Sequence, residues 1–184
     1  RLVFDIGGGS TEIMWAERGC GVGPHGLRLI DSLSIPLGVV SLAEHHGGDR
    51  ISNEAYEAMI ERIDDQISAF EARNNIRAHI SDGTVQMLGT SGTVTTLAGI
   101  HLKLPSYDRN TVDGCFLLSL DFAGRATEPC IGEARADLVV AGCAILDAIC
   151  RNWPVGRLRV ADRGVREGIL FNLMGLGGAT VGVH

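Results

Sequence analysis

Apolar positions along this chain alternate at a period of two in its first third and recur at helical spacing later. Leu2 to Ile6 is a short apolar run holding one acid, Asp5, and it breaks into Gly7, Gly8 and Gly9 before alternation resumes at Thr11, Ile13 and Trp15. This predicts a hairpin with a glycine tip. Gly19 to Gly26, with four glycines and a proline, reads as the turn into a third strand carrying Leu27, Leu29, Ile35 and Leu37. Ser52-Asn53-Glu54 is a helix cap, and Ala55, Met59, Ile63, Ile67 and Phe70 follow at helical spacing through about Arg73. Val85 to Leu88 is a fourth strand, and Val94, Leu97, Ala98 and Ile100 to Leu102 open an amphipathic helix after it. Pro105 to Gly114 reads as irregular, with Cys115, Leu117 and Leu120 forming a short strand or helix edge. Ala134 to Asn152 is apolar on more than one face, as a buried helix is, and stops before Pro154. Leu158, Val160 and Ala161 make the last strand, Asp162 to Met174 the closing helix, and Gly175 to His184 a frayed tail.

Three strands in succession require antiparallel pairing, whereas strands separated by helices require parallel crossovers. A mixed α/β sheet follows.

Two stretches carry candidate chemistry. Gly7, Gly8 and Gly9 have no Cβ to hold off an anion, and glycine can take the positive φ that turns successive N–H groups toward one point. Asp5 and Glu12 flank that loop; they either bracket a divalent cation or are the surface acids of an ordinary hairpin. The second stretch, Gly89-Thr90-Ser91-Gly92-Thr93, joins a strand to a helix. Its glycines admit close approach, its hydroxyls can donate, and the helix start adds free N–H groups. Two such loops on one chain point to a phosphate ligand.

With 184 residues, 45% hydrophobic, the chain is long enough for one domain with a real core. A net charge of -6 gives no basic footprint, so duplex nucleic acid and anionic membrane are not expected partners. Any polyanion is met locally. Cys20, Cys115, Cys130, Cys143 and Cys150 are scattered without a zinc-type spacing, which fits a reducing cytoplasm. Cys143 and Cys150 share the buried face of their helix as packing residues. His45 and His46 fall in a loop with no third ligand and are read as solvated. No stretch is apolar enough to span a bilayer. The start inside a strand reads as that of a fragment or an excised domain.

Asp5-Ile6-Gly7-Gly8-Gly9-Ser10-Thr11-Glu12, taken with Gly89-Thr90-Ser91-Gly92-Thr93, resembles the exopolyphosphatase and guanosine pentaphosphate phosphohydrolase family of the actin-like ATPase superfamily. Ser34-Ile35-Pro36-Leu37-Gly38 leading to Glu44, Tyr107-Asp108-Arg109, Arg135-Ala136-Asp137 ahead of Ala141-Gly142, and Gly164-Val165-Arg166-Glu167-Gly168 match in the same order. The resemblance implies a ribonuclease H-like domain with a mixed five-stranded sheet in the order 3-2-1-4-5 and both loops at one edge. It implies that residues 1–174 are the second actin-like domain, with 175–184 a flexible tail and the N-terminal actin-like partner domain absent from this chain. The implied activity is release of terminal phosphate from inorganic polyphosphate or guanosine pentaphosphate.

On that reading Gly7, Gly8, Gly9, Ser10, Gly89, Thr90, Ser91, Gly92, Thr93 and Arg135 bind phosphate. Asp5 and Glu12 are the catalytic and metal-holding carboxylates, and Mg²⁺ is the cofactor. The general base, a glutamate in the family, belongs to the absent domain, so the chain by itself is expected to be inactive; a homodimer stays open. Arg135 either binds a bridging phosphate or pairs with Glu133 or Asp137. Asp162, Arg163, Arg166 and Glu167 read as a cap and salt-linked network at the last helix. Ser41 stands where an arginine is usual, which weakens the case for long polyphosphate. A kinase or ATPase of the same superfamily would need an adenosine pocket, for which no distinctive residues stand out. A non-catalytic phosphate or nucleotide sensor would follow if the other domain lacked its glutamate.

Overall fold

The computed structural model describes residues 1–18, 27–46, 52–118 and 136–162. The element order is β1 (Leu2–Ile6), β2 (Thr11–Arg18), β3 (Leu27–Ile35), α1 (Val39–His46), α2 (Asn53–Asn74), α3 (Ile76–Ser81), β4 (Met87–Thr90), α4 (Gly92–His101), α5 (Arg109–Val112), β5 (Phe116–Leu118), α6 (Ala136–Asn152) and β6 (Arg157–Ala161). The described strands form one mixed sheet in the order β3-β2-β1-β4-β6-β5. β1, β4 and β6 run parallel, with β2, β3 and β5 antiparallel to their neighbours. This is the ribonuclease H-like arrangement expected, with one strand more. The extra strand is β5, which pairs with the outer edge of β6 because Leu117 is buried while Phe116 and Leu118 face out.

Alternation sets which face of the sheet is dry. Leu2, Phe4, Ile6, Ile13, Ile35, Met87, Leu158 and Val160 are buried beneath the helices. Each contributes on the order of 1.5–3 kcal/mol by leaving water. α2 begins where the Ser52 hydroxyl accepts from the Ala55 amide, and its stripe of Met59, Ile63, Ile67 and Phe70 is fully buried. It ends on Asn75, left-handed at φ 49°, whose amide donates to Glu71 O. α6 packs against α1, α2 and α4, so its residues 141–150 are buried all round. Gly142 permits this closeness, since a Cβ there would stand 2.5 Å from Thr93 Cγ2.

Several sequence expectations change. α1 replaces the expected loop around His45 and His46; it places both in a last helical turn, with His45 Nδ1 2.6 Å from Ser41 O. α3 lies in a stretch for which no element was expected, and the short α5 occupies one read as irregular, capped by Asp108, which accepts from the Asn110 amide. Cys115, Cys143 and Cys150 are free thiols, and burial pushes Cys143 and Cys150 up to about 12, as packing residues require. Among the described residues no helix is long and apolar enough to cross a membrane. The closing helix at 162–174, the tail at 175–184, Cys20, Cys130 and Arg135 fall outside the description, apart from Asp162.

Candidate active site

β1 and β4 are adjacent and parallel, so the loops that follow them emerge side by side at the same end of the sheet. Register then aligns a polar row across the sheet face opposite the helices. Asp5 pairs with Glu12 on one side and with Thr90 on the other; Glu12 pairs in turn with Ser34, and Thr90 with Ala161. Cross-strand neighbours of this kind have Cβ atoms about 5 Å apart. Two carboxylates and two hydroxyls therefore share one patch between the loops.

Glu12 Oε1 accepts from Ser10 Oγ at 2.6 Å and from Ser34 Oγ at 3.4 Å. Both bonds end on one oxygen and leave Oε2 to a cation or solvent. Burial raises the Asp5 carboxyl above the usual carboxylate range; the Thr90 side chain pulls it back down and the Glu12 charge adds to the rise. Among the described residues neither carboxylate pairs with a cation, and Mg²⁺ needs only one or two such ligands because it keeps several waters. The donor set fits that ion. Among the described residues no cluster of three or more His, Cys, Asp or Glu stands ready to hold a metal without other ligands.

The first loop is held through its carbonyls. Gly7 O accepts from the Val39 amide at 3.0 Å, and Gly8 O accepts from Val40 at 2.8 Å and Ser41 at 3.3 Å. The free N–H groups of α1 are thereby used on the loop. Gly38 allows the contact, because a Cβ there would fall 2.4 Å from Gly7 O. Gly7 N donates to Ser10 O at 2.9 Å, while the amides of Gly8, Gly9 and Ser10 have no partner among the described residues. None of the three glycines has positive φ, contrary to the expected nest; the loop is shaped by bonds from outside it.

The second loop is held by hydroxyls. Thr93 Oγ1 donates to Ile6 O at 3.1 Å, tying the start of α4 to the end of β1, and Thr95 Oγ1 donates to Ser91 O at 3.0 Å. Gly89 sits where a Cβ would come within 2.9 Å of Phe4 Cζ, and a Cβ at Gly92 would meet nothing within 4 Å. Gly89 and Gly92 have ordinary φ; the unusual backbone belongs to Ser91, with φ 107° and ψ 164°. That region is essentially reserved for glycine and costs on the order of 1–3 kcal/mol. Ser91 Oγ is also buried without a hydrogen-bond partner among the described residues. Strain and an unsatisfied hydroxyl coincide at one residue.

Beside this loop, Asp162 at the end of β6 accepts from Tyr107 Oη at 2.5 Å and pairs with Arg109 Nε at 3.1 Å, and its amide donates to Asp113 Oδ1. Tyr107 and Arg109 thus clamp a strand end. Sequence reasoning passed over Gly38 and Ser34, whose roles arise from neighbours brought by folding. The only local signal was their place in the Ser34-Ile35-Pro36-Leu37-Gly38 stretch.

Residues 1–176 match the sequence model of the Ppx/GppA phosphatase family. The chain belongs to this family. It is 26% identical over 188 residues to the guanosine-5'-triphosphate,3'-diphosphate pyrophosphatase of Pseudoalteromonas atlantica, covering 94% of this chain and 33% of that protein. It is 26% identical over 190 residues to a putative exopolyphosphatase of Haemophilus influenzae, covering 94% of this chain and 52% of that protein. Among solved structures, the Aquifex aeolicus Ppx/GppA phosphatase superposes with a TM-score of 0.73 at 24% identity, over 94% of this chain and 56% of that one. An exopolyphosphatase from Cytophaga hutchinsonii gives a TM-score of 0.69 at 22% identity, over 99% of this chain and 58% of that one. The Ppx/GppA chain therefore spans only a third to about half of these curated relatives and a little over half of these structures.

Proposed function

We propose that this chain is the second actin-like domain, and the phosphate- and metal-binding half of the active site, of a cytoplasmic phosphohydrolase that releases terminal phosphate from polyphosphate or guanosine pentaphosphate. The observation that carries this reading is the Ser34, Glu12, Asp5, Thr90 row lying between two loops at one end of the sheet. Phosphoanhydride hydrolysis needs the spread charge of the phosphoryl group held in place and an in-line water. The unpartnered amides of Gly8, Gly9 and Ser10 take phosphoryl oxygens from one side. The first amides of α4 and the Ser91 hydroxyl take them from the other. Asp5 and Glu12 would hold Mg²⁺ directly or through water, and the ion would supply positive charge against the phosphoryl group. Thr93, whose hydroxyl is given to Ile6 O, positions the loop; its backbone amide is what remains for phosphate. The base that orients water comes from the other actin-like domain. The pairing of the two carboxylates across β1 and β2 is what favours hydrolysis with metal over simple phosphate sensing.

Two measurements test this. In the full-length protein, Glu12→Gln is expected to lower kcat by roughly a hundredfold or more and raise the Mg²⁺ requirement while the fold persists; an unchanged magnesium dependence would return Glu12 to the role of a surface acid. In the present chain, phosphate is expected to raise the thermal midpoint in the parent and not in Gly92→Ala, whose new methyl occupies the space the anion needs. Equal stabilisation of both would remove the second loop from the site.

A further inference from the structure

β4 and β6 are parallel neighbours whose register ends at Thr90 beside Ala161, so Ser91 and Asp162 leave the sheet side by side. Adjacent strands lie about 5 Å apart, which sets a carboxylate next to the second loop. An acid in that position works against the loop: a phosphate held by the first amides of α4 is itself an anion, and like charges this close repel. One short segment meets that charge. Lys103, left-handed at φ 53°, turns the chain after α4, and Tyr107 comes back to the first turn of that helix, where its phenol meets the Thr95 hydroxyl. Tyr107 Oη donates to Asp162 Oδ2 at 2.5 Å, Arg109 Nε lies 3.1 Å from the same oxygen, and Arg109 Nη2 donates to the Asp162 carbonyl.

An isolated surface ion pair contributes little, but this one is anchored on every side. Arg109 grips Asp162 by both side chain and main chain, a two-point hold that its planar fork allows. The segment that carries it is fixed in turn. Asp108 accepts from the Asn110 amide and from Thr111 Oγ1, Val112 is fully buried, and Gly114 N donates to Val160 O at 2.8 Å. Partial burial and Asp162 raise the Tyr107 phenol above its ordinary pKa against the pull of Thr95 and Arg109, so at neutral pH it stays a donor. Thr95 completes the connection, since its hydroxyl donates to Ser91 O at 3.0 Å and Gly92 O at 3.2 Å. We propose that Arg109 and Tyr107 are positioning residues for the second loop, which neutralise Asp162 and hold its carboxylate to themselves so that an anion can occupy the loop one strand away. The inference rests on the reading of that loop as an anion cradle.

Inorganic phosphate is titrated calorimetrically into the chain. Arg109→Gln is expected to bind it about fivefold more weakly than the parent, and Tyr107→Phe, which keeps the ring and loses only the donor, about twofold more weakly. Asp162→Asn removes the negative charge and is expected to bind at least as tightly as the parent. The deciding variant combines Arg109→Gln with Asp162→Asn: with both charges gone, affinity should return to within about twofold of the parent. A segment that only braced the fold would show no such rescue. Added sodium chloride screens the repulsion and should narrow the gap between Arg109→Gln and the parent. The thermal midpoint without phosphate reports on folding; should Arg109→Gln be unfolded, Asp162→Asn carries the test alone, and weaker binding by it overturns the inference. It is overturned equally if Arg109→Gln binds like the parent, if the double variant is as weak as Arg109→Gln, or if salt leaves the gap unchanged. In those cases parent binding that is abolished by Gly92→Ala leaves the loop's anion-binding role standing. A parent that does not bind phosphate, or whose binding survives Gly92→Ala, removes that role and this inference together.

Discussion

The two glycine loops lie side by side and are built in opposite ways. In the first, the backbone relaxes: Gly7, Gly8 and Gly9 keep ordinary φ because three amides at the head of α1 fix the loop's carbonyls from outside. In the second, the backbone is strained at Ser91, and the loop is fixed by its own hydroxyls reaching Ile6 O and Ser91 O. Glycine is needed differently too. The contact that most demands it in the first loop is at Gly38, outside the glycine run, and in the second it is at Gly89, against the core. A glycine-rich motif thus marks open space beside the loop, at Gly9 and Gly92. It does not mark where the backbone is forced.

The largest test of this contrast is Gly38→Ala. Its methyl would collide with backbone atoms of Gly7 and Gly8 that cannot swing aside, so α1 and the first loop must separate. A loss of about 3 kcal/mol is expected, read as a drop in the denaturation midpoint. Gly9→Ala, whose methyl meets nothing within 4 Å, should leave the midpoint in place. If the two variants were equally stable, the first loop would not depend on α1.

Ser91→Gly should act in the other direction. It relieves the φ of 107° and removes a buried hydroxyl without a partner, so a stabilisation of about 1 kcal/mol is expected. Phosphate affinity should fall at the same time if that hydroxyl is kept for the ligand. A variant that is less stable than the parent would place the strain elsewhere.

The smallest effect concerns Asp5. Burial holds its folded pKa above the ordinary 3.8, so the folded state binds the proton more tightly than the unfolded chain. Stability from this group is therefore full below the unfolded value and is lost as pH rises through the folded one. Asp5→Asn is expected to be more stable than the parent at neutral pH, by less than about 1 kcal/mol given its exposure, with the gain vanishing in acid. Chemical denaturation at several pH values would show it. A gain that grew toward low pH would contradict the raised pKa.

Much of the fold was legible in the chain because burial on one face leaves a local period. Ser52, Met59, Ile63, Ile67 and Phe70 announced α2, and Leu2, Phe4, Ile6, Ile13 and Trp15 announced the hairpin. The candidate site was partly legible for the same reason, since Asp5 and Glu12 flank a turn and must pair across it. α1 was not, because its helix is short and much of its N-terminal bonding goes to Gly7 and Gly8 rather than to a side-chain cap. β5 was not, because three residues give too little alternation to separate a strand from an edge.

By itself, then, the sequence determined the order of the elements, the mixed sheet, the two loops and the pair of carboxylates. Each of these follows from residues a few positions apart. Only the tertiary structure decided that Thr90 stands beside Asp5, that Gly38 rather than the glycine run bears the close contact, and that Ser91 carries the strain. The reason is physical: strand register and the approach of distant backbones are settled by packing of the whole core, and no local period records them.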